Sequence, residues 1–228
     1  MQLQNLMYFY HQLAACFKKS INSGMHNFLR WSISVSLITL LCTISYLFWD
    51  IEIALFFHAL NDTQSHDVFN IITGFGESQW YLGAGVLLFV VFRRRNRFRS
   101  YLGLFMSLSV AVSGVSADII KYVAGRARPI LYFSDKLYGF NPFHYEYEWI
   151  SFPSGHATTA FSAAMVLLIL YPRWRILFLA AGACIAFSRI FLTEHYLSDV
   201  IAGSFLGFVS TFLLYHFYFK TQFDVSEF

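Results

Sequence analysis

The sequence predicts an all-α integral membrane bundle: six transmembrane helices, preceded by an N-terminal amphipathic helix lying in the membrane interface. Three observations predict it. Hydrophobic residues make up 57% of the 228 and charged residues only 13%, about half the ~25% of a soluble domain, too few to cover a soluble surface. Six apolar stretches approach the roughly 20 residues that cross the hydrocarbon. The basic residues collect in alternate connections between those stretches, as the positive-inside rule requires.

Each element follows in order. Leu3, Leu6, Met7, Tyr10, Leu13, Ala14 and Phe17 recur at helical spacing, with Lys18 and Lys19 after them. This suits an interfacial amphipathic segment over 1–30. The charged start, compact apolar core and small-residue cleavage site of a signal peptide are missing. The spans are expected at 31–49, 74–92, 101–120, 156–171, 175–193 and 200–219, giving a six-helix domain over 31–220 and a short tail at 221–228. Gly74, Gly76, Glu77 and Gln79 dilute the start of the second span. The fourth is short because it opens inside a polar motif.

Lys18, Lys19, Arg30, Arg93, Arg94, Arg95, Arg97, Arg99, Arg173, Arg175 and Lys220 all fall on one side of this layout. That side is expected to be cytoplasmic, with both termini, in the cytoplasmic (inner) membrane. The loop between the first two spans carries Asp50, Glu52, Asp62, Asp67 and Glu77 and no Lys or Arg. Five basic residues break the rule: Lys121, Arg126, Arg128, Lys136 and Arg189. Charge kept at the outward ends of membrane segments points to function. The longest connection, from about 121 to 155, is rich in aromatics, and is expected to fold back on the interface with short helical pieces.

Three fragments hold most of those exceptions. The first, Lys121 to Arg128-Pro129, pairs a compact ammonium with a planar guanidinium suited to phosphate oxygens. A continuing helix would bring both to one side before Pro129 stops it. Arg126 would face elsewhere, toward lipid headgroups, and Asp118 would pair with a site cation. The second, Pro153-Ser154-Gly155-His156, opens the fourth span. Ser is a good N-cap, Gly lets a ligand approach, and the first helical N–H groups point at an anion. The third is Ser188-Arg189, then His195 and Asp199. A carboxylate bonded to Nδ1–H leaves Nε2 free as nucleophile or base. Singly, the fragments also suit an interfacial anchor pair, a turn and a structural cap. Together they lie at one face.

Their order and spacing resemble the type 2 phosphatidic acid phosphatase (PAP2) superfamily: Lys-x6-Arg-Pro, then Pro-Ser-Gly-His, then Ser-Arg-x5-His-x3-Asp. Every motif position matches over 121–199. The resemblance implies that His195 is the nucleophile, forming a phosphohistidine, and that Asp199 orients it. His156 would protonate the leaving oxygen and then help activate water. Lys121, Arg128, Ser154, the Gly155 N–H and Arg189 would bind phosphate oxygens. The family needs no metal or other cofactor, and fixed cations can neutralise charge as a divalent ion does elsewhere.

The expected partners are the membrane and a lipid phosphate substrate: undecaprenyl diphosphate, phosphatidylglycerophosphate, phosphatidic acid or a lipid A phosphate, met at the outer face. A phosphotransferase would use the same residues. A transporter would explain the cations but not the two histidines and the carboxylate. No basic arm with interleaved aromatics suggests nucleic acid. A zinc site of His156, His195 and Asp199 is opposed by the adjacent Arg and Lys. Cys16, Cys42 and Cys184 lack metal-ligand spacing.

Overall fold

The computed structural model describes residues 29, 31–60 and 64–224. The chain forms two compact units, Met1–Leu41 and Cys42–Phe228, and the second carries the candidate site. Apart from Leu29, the interfacial segment expected over 1–30 lies outside the described residues, as does 225–228 of the expected tail.

Regular structure among the described residues is helical, apart from one isolated bridge between Arg126 and Phe140. Five helices are long and apolar enough to cross a membrane: Trp31–His58, Ser65–Phe92, Arg97–Ala124, Pro172–Phe191 and Leu197–Phe223. The remaining expected span, Gly155–Leu170, is apolar but shorter, at 16 residues. The first of these five helices runs past the limit set by hydropathy, because backbone hydrogen bonding continues through an acid whose side chain is satisfied. That acid is Asp50. The charge pattern places it in the outer loop between the first two spans. It lies buried at the start of α1 (Asp50–His58), after a π-helical stretch over Ser45–Trp49.

The second span is broken into α2 (Gln64–Gly74) and α3 (Ser78–Phe92), and α3 packs along α4 (Arg97–Ala124). Asn96 caps α4 by accepting from the Arg99 N–H at 2.9 Å. The helix does not continue to Arg128. Gly125 ends it in the left-handed conformation, φ 56°, and a Cβ there would fall 1.7 Å from the Asn141 carbonyl oxygen. Pro129, expected to stop a helix, instead opens α5 (Pro129–Asp135), in the first turn, where a missing N–H costs nothing.

The covering connection is stitched to the strap after Gly125 by backbone bonds: Ala127 N–H to Gly139 O at 3.0 Å, Arg128 N–H to Glu148 O at 2.7 Å and Ser151 N–H to Arg126 O at 3.0 Å. Its short helical pieces are α5 and a 3-10 turn over Tyr147–Trp149.

The helix α6 (Gly155–Leu170) packs against α4, α7 (Arg175–Phe191) and α8 (Leu197–Leu214). A Cβ at Gly203 of α8 would lie 2.4 Å from the Ser154 carbonyl oxygen. That close approach lets the Ser154 N–H donate to Asp199 O at 3.0 Å. Two buried apolar clusters flank this packing. Phe105, Val166, Phe219 and Phe223, the last on α9 (Lys220–Asp224), form one; Ala157, Ala186, Ile190 and Val200 form the other, next to the polar residues.

Candidate active site

The fold draws the three fragments into one region. Lys121 lies in the last turn of α4, Arg128 in the strap, Arg189 in the last turn of α7. Ser154 caps α6, its Oγ accepting from the Ala157 N–H at 3.5 Å, and Gly155 and His156 are the first helical residues. Lys121, Arg128, Arg189 and His156 lie within electrostatic reach of one another. A Cβ at Gly155 would lie 3.1 Å from Lys121 Nζ, so the missing side chain makes room for the ammonium. Lys121 also pairs with Asp118 at 3.3 Å, as expected for that acid. A Cβ at Gly76, where the second span breaks, would meet His156 Cδ2 at 2.8 Å.

The two arginines share the Glu194 carboxylate, 3.3 Å from Arg128 Nη1 and 3.5 Å from Arg189 Nη2, and each has further partners of its own. Arg128 donates from Nε to Tyr147 O at 2.9 Å and from Nη1 to Glu194 O at 3.2 Å, with its guanidinium 4.0 Å from the Tyr147 ring centroid. Arg189 donates from Nη1 to Thr73 Oγ1 at 2.7 Å. Its buried Nε has no hydrogen-bond partner among the described residues.

His195 precedes α8 rather than lying on it, and Asp199 is in the first turn, accepting the Tyr196 N–H at 2.9 Å. His195 Nδ1 is 3.6 Å from Asp199 Oδ2, longer than the direct bond expected. Ser151 stands between them. Its hydroxyl donates to Asp199 Oδ2 at 2.6 Å, and its oxygen lies 3.4 Å from Nδ1. The carboxylate takes the only hydroxyl proton, so the Ser151 lone pair faces Nδ1 and selects the Nδ1–H tautomer. Nε2 is left with its lone pair. Burial holds His195 well below its ordinary pKa, the Arg128 charge adds to that, and Asp199 offsets it only in part. The imidazole is therefore neutral at pH 7.

Behind Asp199 lies Arg126. It was expected to reach lipid headgroups, yet only 1% of it is exposed. The left-handed turn at Gly125 aims it inward. It pairs through Nη1 with Asp199 Oδ1 and through Nη2 with Asp50 Oδ2, the latter at 2.6 Å. Ser198 bonds both sides, its backbone N–H reaching Asp50 Oδ1 at 3.0 Å and its hydroxyl accepting from Arg126 at 2.6 Å. Burial opposes the Arg126 charge, but Asp199 and Asp50 outweigh it and hold its pKa above the ordinary value.

A family model for the PAP2 superfamily matches residues 102–223. The chain belongs to the PAP2 superfamily. It is 36% identical over 153 residues to a lipid A 1-phosphatase of Rhizobium johnstonii, an overlap of 60% of this chain and 61% of the relative. It is 32% identical over 127 residues to an undecaprenyl-diphosphatase of Sulfolobus acidocaldarius, covering 55% and 58% of the two. The chain spans about three fifths of the length of these curated relatives. Its fold matches the crystal structure of a PAP2-type phosphatidylglycerolphosphate phosphatase from Bacillus subtilis, with TM-score 0.61 and 23% identity, covering 81% of this chain and 96% of that one.

The PAP2 motif positions were legible in the sequence, whereas their supports were not. Sequence reasoning missed Asp50, Ser151, Tyr147 and Glu194 and misplaced Arg126. One signal was available for Arg126: it breaks the positive-inside pattern as Arg128 does. For Ser151, three residues before Ser154, no spacing signal exists.

Proposed function

We propose that this PAP2 chain is a multi-pass membrane lipid phosphatase that hydrolyses a phosphomonoester or pyrophosphate of a lipid through a phosphohistidine on His195. The carrying observation is the buried His195, its Nδ1 side turned to Ser151 and Asp199 and its surroundings cationic. Lys121, Arg128 and Arg189, with the Gly155 N–H and the Ser154 cap, hold the phosphoryl oxygens and stabilise charge in the transition state. Nε2 of His195 attacks phosphorus, and the bond from phosphorus to the lipid oxygen breaks. His156, protonated once the substrate's negative charge lies beside it, donates that proton to the oxygen. The Nδ1–H charge that develops on His195 is stabilised by Ser151 and Asp199. Water then attacks phosphorus, His156 takes its proton, the N–P bond breaks and inorganic phosphate leaves. None of these steps calls on a metal.

The relatives' names favour a lipid A phosphate as the first substrate to test, with undecaprenyl diphosphate second. The site opens at the outer face of the cytoplasmic membrane, because Arg93–Arg99 lie at the opposite end of α4. The lipid's tails remain in the bilayer while its phosphate reaches the cations.

The test is phosphate release from a panel of lipid phosphates by the detergent-purified chain, with chelator present. His195→Ala should lower release by at least ~10³-fold, the loss typical of a missing nucleophile. Release that survives the substitution would remove His195 from that role. Reporters fused after Phe143 and after Arg95 check the orientation; the first should read as external and the second as cytoplasmic.

A further inference from the structure

Glu194 sits where a substrate phosphate should compete. Its carboxylate Oε2 lies 3.3 Å from Arg128 Nη1 and 3.5 Å from Arg189 Nη2. The Tyr147 hydroxyl donates to the same oxygen at 2.8 Å. One acidic side chain thus bridges two of the three cations that the reading above assigns to phosphate. Arg128 is held besides by two backbone carbonyls, and Arg189 by Thr73, so both guanidinium groups stay in place if the carboxylate leaves. The Glu194 backbone is fixed by bonds to Arg189 O and from Arg128 Nη1, but its side chain is 38% exposed and is held at the carboxylate tip. Glu194 lines a cavity of about 210 Å³ together with Arg128, Tyr147, Thr193, Phe133 and His58, which gives the side chain room to turn.

We propose that Glu194 is a built-in competitor for the phosphate and sets which anions the site accepts. It is a specificity-determining residue, and the inference rests on the phosphatase reading. A carboxylate carries one negative charge. A terminal phosphate near neutral pH carries ~1.5 to 2, with three strong acceptor oxygens, so it displaces the carboxylate from the arginines. A phosphodiester carries one charge and gains little by the exchange. Intact phospholipids, which surround the site in the bilayer, are therefore refused, while lipids with a terminal phosphate are admitted. The freed carboxylate turns toward the cavity and keeps Tyr147 as a partner.

The measurement compares wild-type, Glu194→Gln and Tyr147→Phe chains, purified whole in detergent. The probes are inorganic phosphate as a competitive inhibitor and a lipid phosphomonoester as substrate. Glu194→Gln should lower both the phosphate inhibition constant and KM about tenfold, with kcat changed less than about threefold. It should also increase inhibition by an intact phosphatidylglycerol headgroup lipid. Tyr147→Phe, which loosens the carboxylate without removing it, should move the constants the same way by about twofold. Unchanged or raised KM and inhibition constants in Glu194→Gln would overturn the proposal, as would a collapse of kcat at constant KM, which would place Glu194 in the chemistry. If wild type releases no phosphate from any lipid, the phosphatase reading fails separately. The competitor role is then read from thermal unfolding in inorganic phosphate: a larger phosphate-induced rise in Tm for Glu194→Gln supports it, and an equal rise sinks it.

Discussion

Two regions of this molecule are equally hidden from solvent and built from opposite materials. Around Phe105, buried completely, Phe219 and Phe223 pack with ring centroids 4.7 and 5.9 Å away. Around Arg126, exposed by 1%, stand two carboxylates, a serine and the tyrosines 46, 138 and 196. The aromatic cluster gains from contact area and tolerates reshaping. The ionic cluster gains only when every partner is present, because each charge left alone in a dry interior is costly. The difference teaches where each kind of order is used. Packing holds the helices together at one end; the ion network fixes one carboxylate, Asp199, at the other.

Substitutions in the two regions should therefore fail differently. Arg126→Leu should be the most damaging, since it strands Asp50 and Asp199 together in the interior. A loss of about 5 kcal/mol, at the upper end for a broken buried pair, should appear as a large fall in Tm, with phosphate release lost as well. Phe105→Ala should cost about 3 kcal/mol, read as a smaller fall in Tm, while kcat per folded molecule stays near wild type. Equal loss of kcat in both variants would erase the distinction between the regions.

The smallest effect sharpens the comparison at Ser151. Ser151→Ala should keep the fold and lower kcat about tenfold, because the bridge from Nδ1 to Asp199 is lost. In the wild type, kcat/KM should show no loss attributable to His195 as pH falls to about 6.5, the ordinary histidine value, with the acid limb below it, since the folded group titrates well below that value. Stability follows the same sign. Between the lowered folded pKa and about 6.5, the unfolded chain binds the proton and the folded chain does not, so stability is lost as pH falls through that window. A limb centred above 6.5 would contradict the neutral, buried His195.

The membrane class, most of the helical stretches and the PAP2 motif positions can be read from the chain alone. These follow from local information: runs of apolar residues, charge at their ends and fixed short spacings. Hydropathy misjudged Asp50 because it weighs an acid without its partners, and helix periodicity misjudged Arg128 because it took no account of Gly125. The fold alone joins Asp50, Arg126 and Asp199, separated by 76 and 73 positions, in one network. Only it put Ser151 between His195 and Asp199, and Glu194 between Arg128 and Arg189. The reason is physical: an apolar residue is satisfied by almost any buried neighbour, whereas a buried charge or hydroxyl needs a particular partner at a particular distance, which the folded chain supplies from elsewhere in the sequence.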